Sequence, residues 1–225
     1  MDKALRDACA RRRSRLAAML RSAGGGIAVL PTAPMRPRNA DNDHPYRGDS
    51  NFLHLTGFDE PDSWLLLDAQ GRSTLLCRAK DGEREIWDGY RVGPDAAPVA
   101  LGIDAAFDVA ALDDVMTDHL ADQPTVWYVF GEAAGLETQI DGWLGALRAR
   151  SRTGVQSPQS KRNLGPLLAE MRLRKDADEL ATMRRAAAIS AGAHTRAMRY
   201  CGERFRADPD AVSYTHLTLP TKRIV

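Results

Sequence analysis

Four consecutive apolar residues, Trp64-Leu65-Leu66-Leu67, restrict the possible folds more than any other stretch of this chain. A polar turn over residues 68–71 and a second apolar run from Ser73 to Cys77 follow, so the segment reads as a β-hairpin with strands at 63–67 and 73–77. A strand with one wet face alternates apolar and polar side chains, because successive side chains point to opposite faces. This strand does not alternate, so both faces of its sheet must be covered. Helices supply such cover. Leu5, Cys9, Leu16, Met19 and Leu20 recur at helical spacing over residues 3–21. Val109, Leu112, Val115, Met116, His119 and Leu120 do so behind Asp108, a suitable N-cap, and Leu136, Ile140, Trp143, Leu144 and Leu147 mark a third helix. Residues 27–30, closed by Pro31, and 125–130, β-branched and aromatic, read as further strands. The predicted fold class is α/β, a mixed sheet flanked by helices.

The connections are equally readable. Gly24-Gly25-Gly26 ends the first helix, since three glycines make helix costly in backbone entropy. Pro31, Pro34, Pro37 and Pro45 keep the next segment extended. Residues 85–93 are turn-rich around an isolated tryptophan. Residues 150–163, rich in Ser, Arg, Gln and Gly, read as the end of a domain, placed at residue 160. The next unit, expected over 161–212, opens with a short helix carrying Leu164, Leu167, Leu168 and Met171. Asp176 and Glu179 then form a capping-box pattern before a long alanine-rich helix to about Tyr200. A helix pair cannot bury its own apolar face, so this unit reads as the start of a larger domain.

Composition excludes several function classes. The formal net charge is +1, which gives no global attraction to nucleic acid or an anionic membrane. The basic run Arg11-Arg12-Arg13 with Arg15 reads as the solvated face of an amphipathic helix. Three cysteines (Cys9, Cys77, Cys201) without CxxC spacing argue against a disulfide framework or zinc site and fit a reducing cytoplasm. No apolar run or signal-peptide pattern predicts a membrane span or export. The glycine triplet precedes a strand, whereas a phosphate loop opens a helix, and no GxSxG elbow occurs.

Residues 38–61, RNADNDHPYRGDSNFLHLTGFDEP, are too specific for a filler loop. Asp41, Asp43, His44 and Asp49 invite a metal reading, but Pro45 occupies the third ligand position of an EF-hand pattern and no HxxxH occurs. Aspartates bonding their own backbone in turns are the better reading. His119 and His194 are lone histidines on helices and read as structural or surface residues, and Cys77 reads as inert core.

The motifs Arg38-Asn39-x-Asp41, Pro45-Tyr46-Arg47, Ser50-x-Phe52 and Leu55-Thr56-Gly57-Phe58-x-Glu60-Pro61 resemble the N-terminal domain of the aminopeptidase P (Xaa-Pro aminopeptidase) family. Glu85-Ile86-Trp87 with Gly89, Arg91 and Gly93-Pro94-Asp95, then Met171-Arg172-Leu173-x-Lys175 with Glu179-Leu180, are similar to the family's next signatures, in order. His54 stands where the family usually has an aromatic residue. The resemblance covers about residues 1–210. It implies an α/β domain followed by the first helices of a pita-bread metallopeptidase domain. It also implies hydrolysis that releases an N-terminal residue preceding proline. Two divalent ions, usually manganese, would activate a bridging hydroxide there. The family's ligands (two Asp, one His, two Glu) lie downstream of the matched region, so no catalytic or metal-binding residue is expected here and the chain alone is expected to be inactive. Asp41, Trp87 and Arg91 match positions implied to contribute to a neighbouring subunit's substrate cleft in a homo-oligomer. An acidic group there attracts a peptide's α-amino group, and an aromatic packs on its apolar ring. Ordinary packing for Trp87, and surface pairing for Arg47 and Arg91, are the alternatives.

Residues 213–225, SYTHLTLPTKRIV, contain no Ala, Gly, Asp or Glu and resemble a translated sequencing adapter rather than the family. A non-catalytic binding or oligomerisation module, and a prolidase-like dipeptidase, are the competing functions.

Overall fold

The computed structural model describes residues 2–207. Helix α1 (Lys3–Ser22) ends where three glycines at positive φ redirect the chain into β1 (Ile27–Pro31). β2 (Pro37–Asn39) and β3 (Asn42–Asp43) form a separate ribbon, followed by α2 (Ser50–Thr56). The hairpin comprises β4 (Trp64–Asp68) and β5 (Ser73–Cys77). α3 (Glu85–Asp88) and α4 (Gly93–Leu101) lead into β6 (Ala105–Asp108). A 3₁₀ turn at Val109–Ala111 precedes α5 (Leu112–Leu120), β7 (Thr125–Tyr128) and α6 (Leu136–Ala149). β8 (Ser160–Asn163) and α7 (Gly165–Leu173) complete a compact unit that runs up to Arg174.

The six strands lie in the order β6-β5-β4-β1-β7-β8. The sheet is mixed. β4 is antiparallel to β1 and β5, whereas β1–β7, β7–β8 and β5–β6 are parallel. The unbroken apolar run now has its physical cause. Leu65 and Leu67 join Ala28, Leu30, Leu75 and Trp127 in one core with residues of α1, α2, α4 and α7. Trp64 and Leu66 point the other way, with Ile27, Val29 and Val126, into a second core with α5 and α6. Trp64 meets Trp143 of α6 edge-to-face, ring centroids 5.7 Å apart. Each fully buried leucine contributes roughly 1.5–3 kcal/mol relative to exposure.

Three sequence expectations need correction. The arginines of α1 are not a uniformly solvated face: Arg13 is 4% exposed, and its guanidinium donates to the carbonyls of Leu55 and Gly102. Leu5, placed on the apolar face, is 40% exposed. Residues 160–163, polar enough to look like a linker, are an edge strand paired in parallel with β7. The edge is polar because it is exposed, and charged edge strands resist pairing with other chains. Lys161 pairs with Asp141, and the Arg162 guanidinium lies 4.8 Å from the Trp127 ring centroid. Past β8, Leu164, Leu168 and Met171 join the α1-side core, so α7 packs with the sheet.

The second unit, from Lys175, is described by α8 (Ala177–Ala207). Its capping box is made: Asp176 accepts from the Glu179 amide at 2.8 Å, and Glu179 accepts from the Asp176 amide at 2.9 Å. Leu180, Met183 and Met198 along it are exposed. Among the described residues no helix is long and apolar enough to cross a membrane. The expected non-native tail lies outside the described residues.

His119 of α5 sits half-buried over the sheet, its Nε2 3.0 Å from Thr74 Oγ1 of β5. Burial pushes its pKa below the ordinary 6.5, against a hydrogen bond to the Val115 backbone that raises it. The folded chain therefore holds His119 neutral where the unfolded chain binds a proton. This contribution to stability is complete above the ordinary value and is lost as pH falls through the folded one. The urea midpoint should fall between about pH 7.5 and about pH 5.5 more steeply for the parent chain than for His119→Gln. Equal slopes would rule the histidine out as the titrating group.

Candidate functional site

Residues 38–61 are built as a chain of local hydrogen bonds. Asn39 Oδ1 accepts from the Asn42 amide, turning the β2–β3 ribbon, and Asp41 stands exposed at that turn. The His44 amide closes the ribbon on Arg36 O at 2.9 Å. Tyr46 anchors the segment that follows β3, with its hydroxyl 2.8 Å from Thr32 Oγ1 and 3.0 Å from Ala33 O. Asp49 then caps α2, accepting from the Asn51 and Phe52 amides at 2.8 Å. Gly57 ends that helix at φ 65°, a conformation that favours glycine. Phe52 and Leu55 are fully buried, and half-buried His54 gives its carbonyl to Arg12. The acidic residues of this stretch thus split by role. Asp49 and Asp59 hold backbone amides, while Asp41, Asp43 and His44 are exposed. Among the described residues, no three His, Cys, Asp or Glu side chains gather as a metal site.

The second motif region is a small capped unit. Asp81 accepts from the Glu83 and Arg84 amides ahead of α3. Lys80 lies 4.4 Å from the Tyr90 ring centroid and 3.7 Å from Glu85. Trp87 is 88% exposed, so core packing is not its role within this unit. Arg91 is the opposite case at 8% exposure, with its amide on Glu85 Oε1 at 3.1 Å. Asp41 and Trp87 therefore present side chains to solvent from separate elements, and Arg91 works from inside.

One link between the motifs was not legible in the sequence. Glu60 Oε1 accepts from the Val92 amide at 2.9 Å, tying the end of the first stretch to the start of α4. Its other oxygen is buried without a hydrogen-bond partner among the described residues. Burial pushes its pKa up, opposed by the Val92 amide and the Arg91 charge and reinforced by Glu85. Spacing alone gave Glu60 no role, because its partner is 32 residues away. Cys77, at the end of β5, is fully buried, and burial pushes its thiol up to about 12, which leaves no reactive thiolate near neutrality.

Residues 9–128 match the family model of the aminopeptidase P N-terminal domain. The Xaa-Pro aminopeptidase of Escherichia coli (strain K12) is 38% identical over 181 residues, covering 79% of this chain and 41% of that protein. The Haemophilus influenzae Xaa-Pro aminopeptidase is 31% identical over 165 residues, covering 72% of this chain and 36% of its own length. Among solved structures, Pseudomonas aeruginosa aminopeptidase PepP superposes with a TM-score of 0.81 at 40% identity, over 86% of this chain and 44% of the other. A zinc-substituted E. coli aminopeptidase P in complex with product gives 0.80 at 36% identity, over 86% and 44%. The chain spans less than half the length of these relatives.

Proposed function

This chain belongs to the aminopeptidase P family, whose N-terminal domain it carries, and on that premise we propose that it is the N-terminal part of a metal-dependent Xaa-Pro aminopeptidase. The substrates in this reading are peptides with proline in second position. The observation that carries the reading is that the family's first two motif regions occur in order on one folded unit, tied together by Glu60 and Val92.

The residues described here do not fit a pair of divalent ions, manganese in this reading, since no three candidate ligands come together among them. Metal binding therefore falls to other residues of the parent enzyme, and no catalytic step is assigned to this chain. Its part is to shape a substrate cleft across a homo-oligomer. Asp41 and Trp87 supply exposed acidic and aromatic groups to the neighbouring subunit, and Arg91 supports the Trp87 turn from its buried position. Three free thiols, two of them buried, suit a reducing cytoplasm. In this proposal the N-terminal domain, expected to end at residue 160, extends through α7 to Arg174, the residues from Lys175 to 212 are its passage into a pita-bread domain, and 213–225 are a non-native tail.

Purified 225-residue chain, free of host enzyme and supplied with manganese, is expected to release no N-terminal residue from an Xaa-Pro peptide. Measurable release would overturn the assignment of catalysis to other residues. The enzyme read from the whole gene is expected to be roughly twice the 24.7 kDa of this chain. It should cleave longer Xaa-Pro peptides in preference to dipeptides, and the reverse preference would favour a prolidase-like dipeptidase.

A further inference from the structure

We infer that the cleft where β1 and β7 end is a binding site for the carboxylate end of a short apolar peptide. β1 and β7 are adjacent and parallel, so their carboxyl ends open on the same edge of the sheet. Ligands of open α/β sheets bind in such crevices. The cleft measures about 680 Å³, within the size range of small-molecule sites. The segments leaving β1 and β7 form two walls, and residues 44–49 form the third.

That third wall is preformed. Tyr46 is fixed by its two hydroxyl contacts to Thr32 and Ala33. Gly48 donates to Asp59 Oδ1 at 2.9 Å and lies so close that a Cβ there would come within 2.5 Å of this oxygen. Pro31, Pro34, Trp64, Val129 and Leu136 give the cleft its apolar surface. A ligand with an apolar body fits this lining.

The polar groups decide which end of the ligand is read. Most are already committed. Asp49 caps α2, Asp62 pairs with Arg78, Ser63 donates to Pro61 O, and Arg47 donates to Ser50. Glu132 hydrogen-bonds Asp49; burial, then the charge of that neighbour, pushes its pKa up. Arg36 and His44 are different. Both line the cleft, and among the described residues neither side chain makes a hydrogen bond or ion pair. The uncommitted guanidinium of Arg36 therefore selects an anion, and its planar fork suits a carboxylate. The choice of a peptide over another apolar acid rests on the peptidase reading, whereas the preference for an apolar anion rests on the cleft alone.

The test is a ligand-observed NMR titration of the 225-residue chain with N-acetyl-Gly-Leu, its C-terminal amide, and 4-methylpentanoate. The acetylated dipeptide should bind saturably and its amide about tenfold or more weakly. Arg36→Gln should weaken the acid about tenfold while leaving the amide and the melting temperature unchanged, because the Arg36 side chain supports nothing in the fold. Equal binding of acid and amide, an unaffected Arg36→Gln chain, or no saturation up to about 20 mM would overturn the site. Binding of 4-methylpentanoate as tight as that of the peptide would overturn the peptide assignment in favour of a plain organic acid.

Discussion

Replacing Gly26 with alanine is expected to abolish cooperative folding of the α/β unit. Gly26 has φ +106°, and a Cβ at this position would stand 2.2 Å from Thr125 O and 2.9 Å from Thr125 C. Those atoms are backbone at the start of β7, so relief requires β1 and β7 to separate. The same corner is fastened by the Trp127 indole donating to Gly25 O at 2.9 Å and by the Ala69 amide donating to Gly26 O at 3.0 Å. Strain at positive φ adds about 1–3 kcal/mol to the overlap. A total of about 4 kcal/mol or more is a large fraction of the roughly 5–15 kcal/mol that holds an ordinary domain folded. Gly24→Ala is the control: its φ is +102°, but nothing lies within 4 Å of the added carbon. It should show the strain alone, a loss of about 1–3 kcal/mol. Thermal melts followed by far-ultraviolet circular dichroism separate the two. If Gly26→Ala melts as cooperatively as Gly24→Ala, and at the same temperature, the contact with Thr125 is not what requires glycine.

That contrast also shows what a sequence can and cannot convey. The glycine triplet announces a stop to α1, because the cost of helical glycine is a local property. It does not announce that one of the three touches a strand about a hundred residues later. The β4–β5 hairpin was legible because burial on both faces erases alternation, and α5 and α6 because one buried stripe imposes the helical period. β8 was not, since an exposed edge strand such as Ser160–Asn163 has no apolar pattern at all. α4 was hidden by Pro94 and Pro98, which the helix tolerates at its start and inside. Neither β6, only four residues long, nor α2, only seven, is long enough to show a period. The candidate site divides the same way. Motif matching picks out Asp41, Trp87 and Arg91 as positions, but their exposure is set by tertiary packing. That packing leaves Trp87 in solvent and draws Arg91 in.

Arg13→Met is expected to loosen both motif-bearing segments at once, at a cost of about 3–5 kcal/mol. A basic run on a helix is ordinarily a solvated face, but Arg12 and Arg13 of this run, with Arg6 earlier in α1, instead reach the C-terminal ends of two other helices. Arg12 donates to His54 O at 3.2 Å and Arg13 to Leu55 O at 2.9 Å, at the end of α2. Arg13 also donates to Gly102 O and Arg6 to Val99 O, at the end of α4. Helix C-termini carry unsatisfied carbonyls and partial negative charge, so guanidinium groups are well matched to them. Gly102 caps α4 at φ +63°, and a Cβ there would come within 3.2 Å of the Arg6 side chain, which fixes how closely α1 approaches. α2 closes the segment that presents Asp41, and α4 follows the turn that presents Trp87. Arg13 donates to both. Methionine preserves much of the bulk and leaves the buried Leu55 carbonyl and the half-buried Gly102 carbonyl without their donor, the first costing about 1–3 kcal/mol and the second less. Lysine keeps the charge but not the fork, so Arg13→Lys should lose about half as much. Hydrogen exchange provides the decisive reading. The amides of Gly57 and Gly102, which end the two helices on Leu53 O and Pro98 O, should lose protection together in Arg13→Met. Loss at one helix with full protection at the other would show that α1 holds the two segments independently, and the coupling through Arg13 would fall.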